Sequence, residues 1–178
     1  MHLMLDLETW STRPHAVIIS IGAIFFDPNG DTLGERFYAA IDPRSAPPGA
    51  HIDADTILWW MSPERTQARE AWLKEGKVTL DEALTGLSEW ASAVAGDEAI
   101  RLWGNGAAFD NVLLSTAYKL LSLDPFWQHW NDRCYRTWKA SAPEVKIQRS
   151  GLYHNALDDA VDQARHLQQI AKHLGATI

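Results

Sequence analysis

The chain has 178 residues, 46% of them hydrophobic, and this size and composition predict a single compact domain over residues 1–178. The formal net charge of −7 argues against sequence-blind coating of duplex DNA, which relies on many Lys and Arg contacts to phosphate. The sequence contains neither an apolar run long enough to span a membrane nor the basic start of a signal peptide, so we expect a cytoplasmic protein without membrane association.

The first forty residues predict three strands of an antiparallel meander. Segment 2–8 alternates leucines with other residues, and segment 16–27 is rich in Val, Ile and Phe. Segment 33–41 follows the strong turn signal Pro28-Asn29-Gly30-Asp31 and completes the meander.

Helical signals follow a proline-containing loop at residues 42–51. Asp53 or Asp55 can cap a short helix that carries two tryptophans. A capping box at Thr79-Leu80-Asp81-Glu82 then predicts a longer helix with one apolar stripe, which ends at Gly96.

Strands and helices alternate in the second half of the chain. We expect a short strand at 99–103, a helix at 109–121, a further strand at 133–138 and a terminal helix at 155–174. Three meander strands followed by this alternation predict an α/β fold in which helices flank a mixed sheet.

Asp6 and Glu8 are the first candidates for a functional site. They stand two residues apart on a predicted strand, so their side chains leave the same face. Two ionised acids between apolar strand positions are costly unless a cation pairs with them. Carboxylate oxygens are hard ligands that suit Mg²⁺ or Mn²⁺. The alternative is a strand end that is simply solvated.

Further candidates lie near the starts of two predicted helices. Asp110 and Asp159 could bind a cation, although acids in the first turns of a helix also complement its dipole. Asp158 and Asp162 project away from the apolar stripe of the terminal helix, so we expect them on a solvated face. His154 has an ordinary pKa near neutral pH, and its side chain can therefore take a proton from a water that attacks phosphorus.

These residues resemble the DEDDh 3′-to-5′ exonucleases, a family with the ribonuclease H-like fold. The resemblance is carried, in the family's order, by Asp6-Leu7-Glu8-Thr9, by the segment from Asn105 to Asp110, and by His154-x-Ala156-x-x-Asp159-Ala160. It implies hydrolysis of single-stranded RNA or DNA from the 3′ end to nucleoside 5′-monophosphates, with two Mg²⁺ or Mn²⁺ ions in the active site.

The resemblance also implies a role for each acid and for the histidine. Asp6, Glu8 and Asp159 would bind the first metal ion, and Asp6 would also reach the second. Asp110 would support the metals, partly through water, and His154 would be the general base.

Two further segments, Ile57-Leu58-Trp59-Trp60 and Arg133-Cys134-Tyr135-Arg136-Thr137, resemble a branch of mycobacterial-type 3′-to-5′ exoribonucleases and related phage exonucleases. This branch favours RNA as the substrate and a homodimer as the assembly. It implies that Trp59 or Trp60 lines the nucleotide cleft, with helix packing as the alternative. It also implies that Arg133 or Arg136 contacts phosphate or organises the active site, with a salt bridge as the alternative.

Five residues near the expected metal ligands are candidates for substrate contacts. Leu7, Thr9 and Trp10 could cradle the terminal base and sugar, with Trp10 as the stacking residue. Asn105 and Phe109, in the second motif, complete this set.

Three alternatives remain open from the sequence. The same mechanism could act on DNA, because one sequence cannot place a group that contacts the 2′-hydroxyl. A catalytically silent nucleic-acid-binding domain could share the fold, although it would be expected to have lost a ligand. A hydrolase of free nucleotides or other small phosphate esters could use the same metals.

Overall fold

A five-stranded sheet in the order β3-β2-β1-β4-β5 forms the centre of the protein, as seen in a computed structural model that describes all 178 residues. The strands are β1 (His2–Thr9), β2 (Ile18–Phe26), β3 (Leu33–Ala40), β4 (Arg101–Gly104) and β5 (Asp132–Cys134). β1, β2 and β3 pair antiparallel, whereas β4 runs parallel to β1 and β5 runs parallel to β4. The expected mixed sheet, with a meander followed by parallel strands, is confirmed.

Six α-helices surround this sheet. They are α1 (Ala54–Trp60), α2 (Thr66–Lys74), α3 (Leu80–Ala95), α4 (Asp110–Leu120), α5 (Tyr135–Ser141) and α6 (Ala156–Leu174). Asp53 caps α1 by accepting the backbone N–H of Asp55, and the capping box between Thr79 and Glu82 opens α3. None of the helices combines the length and the apolar composition that crossing a lipid bilayer requires.

Strand β1 separates two cores because its successive side chains point to opposite faces of the sheet. Leu3, Leu5 and Leu7 pack in one core with the apolar stripes of α3 and α4. Met4 packs in the other core with Trp103 and the apolar stripe of α6. Asp6 and Glu8 share the parity of Met4, so the acids of β1 belong to the α6 face.

Gly22 lets α6 approach this face closely. It pairs with Asp6 across the sheet, and a Cβ atom at this position would lie only 2.2 Å from the backbone carbon of Ala156. The start of α6 therefore lies directly on the strands, where a side chain on β2 would exclude it. The contact brings the first turns of α6 beside Asp6.

The expected strand at 133–138 is wrong beyond Cys134, because the chain turns into helix α5 at Tyr135. β5 pairs with β4 only as far as Gly104, where β4 itself ends. Backbone groups beyond that point have no strand to pair with, and a helix satisfies them within the segment. The boundaries of the other predicted strands and long helices differ from the observed ones by at most two residues.

Candidate active site

Four carboxylates meet where β1 and β4 end. Asp6 and Glu8 lie on β1, Asp110 begins α4 directly after the turn that follows β4, and Asp159 lies in the first turn of α6. Parallel strands place their carboxyl ends at the same edge of a sheet, and this brings the start of α4 to the acids of β1. The structure thus brings together acids that are far apart in the sequence.

The position of Asp110 depends on a second close approach. A Cβ atom on Gly104 would lie 2.9 Å from the Cβ of Asp110 and 2.3 Å from Oδ1 of Asn111. Asn111 also ties α4 to the sheet, because its side-chain amide donates to the carbonyl oxygen of Leu102 at 3.0 Å and to Asp132 Oδ1 at 2.8 Å. The acid at the start of α4 is therefore fixed against the ends of β4 and β5.

Burial gives these acids strongly perturbed proton affinities. It raises the pKa of Asp6 well above its ordinary value, and the neighbouring charges of Asp110 and Asp159 raise it further. Burial, followed by the charge of Asp6, does the same to the pKa of Glu8. Burial also raises the pKa of Asp110 to about 7 and that of Asp159 to about 6. The cluster therefore favours either bound protons or a compensating cation.

Two side chains that the sequence analysis did not single out partner these acids. Gln163 donates its amide to Asp6 Oδ1 at 2.7 Å, and Arg149 donates to Asp159 Oδ1. Gln163 stands four residues after Asp159, so helical spacing already places it on the same face of α6. Arg149 lies in the irregular segment before α6, and no periodic signal could have placed it.

His154 lies beside these acids with an unusual backbone and an aromatic surround. Its φ of 67° lies in the left-handed region, and its backbone N–H donates to Asp159 Oδ2 at 3.0 Å. The imidazole stacks on Tyr153 at a centroid distance of 3.7 Å and meets the ring of Trp59 edge-on at 4.8 Å. Burial, with the charges of Arg65 and Arg149, lowers the pKa of His154 to about 4. The imidazole is therefore neutral at pH 7, and its buried Nε2 has no protein partner.

The expectation that Asp158 and Asp162 lie on a solvated face is wrong. Asp162 is only 2% exposed, and it accepts hydrogen bonds from the backbone N–H of Ser150 and from its hydroxyl, the latter at 2.6 Å. Asp158 accepts the backbone N–H of Leu152 at 2.7 Å. Both acids do project away from the apolar stripe, but the segment that leads to His154 folds back over that face. They anchor this segment to α6.

A cavity of about 470 Å³ opens next to the acids. Its wall contains five of the residues expected to contact a nucleotide: Leu7, Thr9, Trp59, Trp60 and Phe109. Glu8, two further threonines and two further acids complete the lining.

The two tryptophans of this cavity differ in their surroundings. Trp59 is 38% exposed, and the guanidinium of Arg65 lies 4.3 Å from its ring. Trp60 is buried and donates its indole N–H to the carbonyl oxygen of Thr9 at 3.0 Å. Trp60 therefore packs the helix against β1, and it also lines the cavity.

Three other expected substrate residues lie outside this cavity. Trp10 lines a separate apolar cavity of about 380 Å³ with Trp72, whose ring centroid is 5.9 Å away. The register shift at the end of β1 turns the chain away from the acids before it reaches Trp10. Arg136 donates to the carbonyl oxygen of Asn105 at 2.8 Å, and both residues line a different cavity. Neither Arg136 nor Arg133 forms a salt bridge.

The residues of the site fit a divalent cation. Glu8, His154 and Asp159 each offer a ligand atom within 4.8 Å of the others. Asp110 Oδ2 is buried without a hydrogen-bond partner. The carboxylate oxygens of the site are hard ligands that suit Mg²⁺ or Mn²⁺.

Several solved exonuclease structures share the fold of the protein. The nuclease domain of 3′hExo, a DEDDh family member bound to rAMP, matches with a TM-score of 0.66 and 13% identity over 97% of this chain and 92% of that one. The cell-death related nuclease CRN-4 matches with a TM-score of 0.64 and 16% identity over 98% of this chain and 64% of that one. Exonuclease I of E. coli in complex with dT13 matches with a TM-score of 0.65 and 14% identity over 98% of this chain and 41% of that one. The likeness confirms the ribonuclease H-like fold of the DEDDh exonucleases.

A family match extends over nearly the whole chain. Residues 1–171 match the family described as the 3′-5′ exoribonuclease Rv2179c-like domain, so the chain belongs to this family. The family makes the protein a 3′-to-5′ exonuclease, and its fold is that of the DEDDh exonucleases. This family implies divalent metal ions in the active site. No curated protein matches the sequence.

Proposed function

We propose that the protein is a metal-dependent 3′-to-5′ exoribonuclease that removes nucleoside 5′-monophosphates from single-stranded ends. The observation that carries this proposal is the meeting of four carboxylates with one neutral imidazole beside a cavity of nucleotide size. The family described as an exoribonuclease favours RNA over DNA.

We assign the metal ligands to the clustered acids. Asp6, Glu8 and Asp159 would hold one ion, and Asp6 together with Asp110 would hold the second, with Mg²⁺ and Mn²⁺ both suited to these donors. When bound, two such ions stabilise the attacking and the leaving oxygen of a phosphodiester displacement. The raised pKa values of Asp6, Glu8 and Asp110 support the assignment. Too few positive charges lie near these carboxylates to balance their negative charge, so a bound cation would stabilise them.

His154 is assigned the role of general base. Its lowered pKa keeps the ring able to accept a proton at pH 7, and the unpartnered Nε2 can take that proton from the attacking water. The rings of Tyr153 and Trp59 restrict the imidazole, and the bond from its backbone N–H to Asp159 fixes it relative to a metal ligand. Positioning of this kind lowers the entropic part of the activation barrier, because the base is already close to its reactive geometry.

The terminal nucleoside is assigned to the cavity of about 470 Å³. Leu7 and Phe109 offer apolar contacts, Thr9 offers polar groups near the sugar, and Trp59 offers a half-exposed ring for the base. Trp10 is not part of this assignment, because it lines a different cavity.

A digestion assay with end-labelled RNA and DNA oligonucleotides of matched sequence tests the proposal. In Mg²⁺ or Mn²⁺ we expect a ladder that shortens from the 3′ end, faster on RNA, and no ladder in EDTA. Asp6→Asn should abolish the ladder, whereas Glu89→Gln should not, because Glu89 is exposed on α3 at the opposite face of the sheet. Equal rates for the Asp6→Asn and parental proteins would show that the site is misassigned.

The same assay distinguishes the alternative functions. Faster digestion of DNA would indicate an exodeoxyribonuclease, and binding without digestion would indicate a silent nucleic-acid-binding domain. Hydrolysis of nucleoside triphosphates without a ladder would indicate a hydrolase of small phosphate esters.

We also propose a homodimer in solution, which the branch resemblance supports, and a single domain over residues 1–178, which the size and composition of the chain support. Light scattering should give twice the mass of the chain, and thermal unfolding should occur in one transition. A monomer mass, or two transitions, would contradict the respective proposal.

A further inference from the structure

A cleft of about 770 Å³ lies beside the turn between β4 and α4, at Asn105, and shares no lining residue with the cavity of about 470 Å³. We call it the basic cleft, because its charged lining residues are cationic and none is acidic. Its lining consists of Asn105, Arg136, Lys139, Ala140, Pro143, Val145, Lys146, Ile147 and His166. In a chain with a net charge of −7, such a concentration of positive charge is informative.

The three strong cations of the basic cleft are not neutralised by the protein. Arg136, Lys139 and Lys146 are all exposed, and none of them forms a salt bridge. Glu144 lies close to Lys146 in the sequence, but it does not line the cleft and it pairs with His173 at 2.6 Å. The cleft therefore offers its full charge to an anionic ligand.

The walls of the basic cleft are held in place. Arg136 and Lys139 are three residues apart on α5, so they share one face of the helix. On the other wall, His166 bonds the carbonyl oxygen of Val145 through Nε2 at 2.8 Å and the hydroxyl of Tyr135 through Nδ1 at 2.6 Å. This buried histidine links α5, α6 and the segment that carries Lys146, so the cations keep their relative positions.

One end of the basic cleft reaches the active site. Arg136 donates to the carbonyl oxygen of Asn105 at 2.8 Å, and its guanidinium carbon would lie 3.5 Å from a Cβ atom on Gly106. A single strand whose 3′ end lies at the acids can thus extend past Asn105 into the cleft.

We propose that the basic cleft binds the phosphates of the nucleotides that precede the terminal one, with Lys139 and Lys146 as phosphate contacts. Arg136 joins this track to the active site. The inference rests on the proposed function, because it names the part of a single-stranded substrate that this surface binds. Sequence-tolerant binding of this kind depends on backbone charge, so it should apply to RNA and DNA alike.

The test measures binding of a fluorescent single strand of about 15 nucleotides by anisotropy in EDTA, where no digestion occurs, over a series of salt concentrations. Each lost phosphate contact lowers the slope of log K against log [salt] by about 0.7 for a single strand, so the Lys139→Gln/Lys146→Gln double variant should lose about 1.4. The loss of affinity in the double variant, relative to the parental protein, should therefore be about 7-fold smaller at 200 mM than at 50 mM salt. Lys119→Gln is the matched control, because Lys119 is exposed at the end of α4 opposite to Asp110.

Kinetics separate this inference from the proposed function. In Mn²⁺ the double variant should raise KM for the long strand at least tenfold more than KM for a dinucleotide, which is too short to enter the cleft. A salt slope equal to that of Lys119→Gln, or equal effects on both substrates, would overturn the inference and leave the exonuclease proposal standing. The anisotropy arm does not depend on catalysis, so it decides the question even if the protein digests neither substrate. Tight binding of an acidic peptide with the same loss in the double variant, but no loss for the single strand, would assign the cleft to a protein partner instead.

Discussion

Replacing Gly22 by alanine should damage both the stability and the chemistry of the protein. The added Cβ would lie 2.2 Å from the backbone carbon of Ala156 and 2.2 Å from the backbone nitrogen of Leu157, whereas ordinary contacts between such atoms are about 3.5–4.0 Å. Main-chain atoms cannot rotate away, so the start of α6 must move by about 1.5 Å. Overpacking of this kind costs about 1–3 kcal/mol, which corresponds to a decrease in Tm of about 2–12 °C for a protein of this size.

The displacement should also separate Asp159 on α6 from Asp6 on β1. A shift of about 1 Å in a catalytic group can lower the rate by about 100-fold. At temperatures where the variant is still folded, kcat should therefore fall by much more than the unfolded fraction explains. Calorimetry and single-strand digestion measure the two effects. Gly86→Ala is the control, because its Cβ would meet only the ring of Phe37 at 3.8 Å and alanine favours the helix. Parental Tm and kcat for Gly22→Ala would refute the argument that the backbone contact sets the site.

Further predictions concern protons, the imidazole and its anchor. Because burial raises the pKa values of Asp110 and Asp159 in the folded protein, these two groups bind fewer protons in the unfolded chain between about pH 4 and pH 7, and the stability that they contribute without metal should be lost as the pH rises through this window. The lowered pKa of His154 acts in the opposite direction, but only below the ordinary histidine pKa of 6.5. Tm in EDTA should therefore fall between about pH 6.5 and pH 8, above the ordinary pKa of histidine, and added Mn²⁺ should raise Tm more at pH 8 than at pH 5. A Tm in EDTA that rises over this range would contradict the assigned shifts. His154→Ala should lower kcat by about 100-fold or more while KM for a single strand changes little, and a loss confined to KM would remove its role as base. Asp162→Asn weakens the bonds to Ser150 and should lower kcat without changing the affinity for Mn²⁺ measured by calorimetry, whereas parental kcat would show that this anchor does not position His154.

Local periodicity was sufficient to predict how β1 distributes its side chains. Alternation placed the leucines in one core and Asp6 and Glu8 together on the opposite face, because the strand period does not depend on what the sheet packs against. Helical spacing likewise singled out Asp159 at the border of the apolar stripe, where it lies beside the other acids. The three motifs occur in the same order as in the DEDDh exonucleases, and this order predicted that the distant segments form one site.

Predictions that depended on the path of irregular segments were less successful. Asp162 looked solvated because the sequence does not show that the segment before α6 folds back over it. Arg149 could not be identified as a partner of Asp159 for the same reason. The strand expected beyond Cys134 ended early because its partner β4 ends at Gly104, which is a tertiary limit that local propensity does not contain. Trp10 lies in a second cavity because the strand register shifts at the end of β1, and no residue type in the sequence predicts that shift.

Gly22 makes the position of Asp159 relative to the acids of β1 tolerant of change elsewhere. At Gly104 the contact with α4 is made by side-chain atoms of Asp110 and Asn111, but at Gly22 helix α6 rests against the sheet through its main chain, so its spacing from β1 does not follow the volume of the surrounding apolar side chains. Those side chains can be exchanged for others of similar total volume at modest cost. A helix position set by main-chain contact in this way can persist while the apolar side chains around it change.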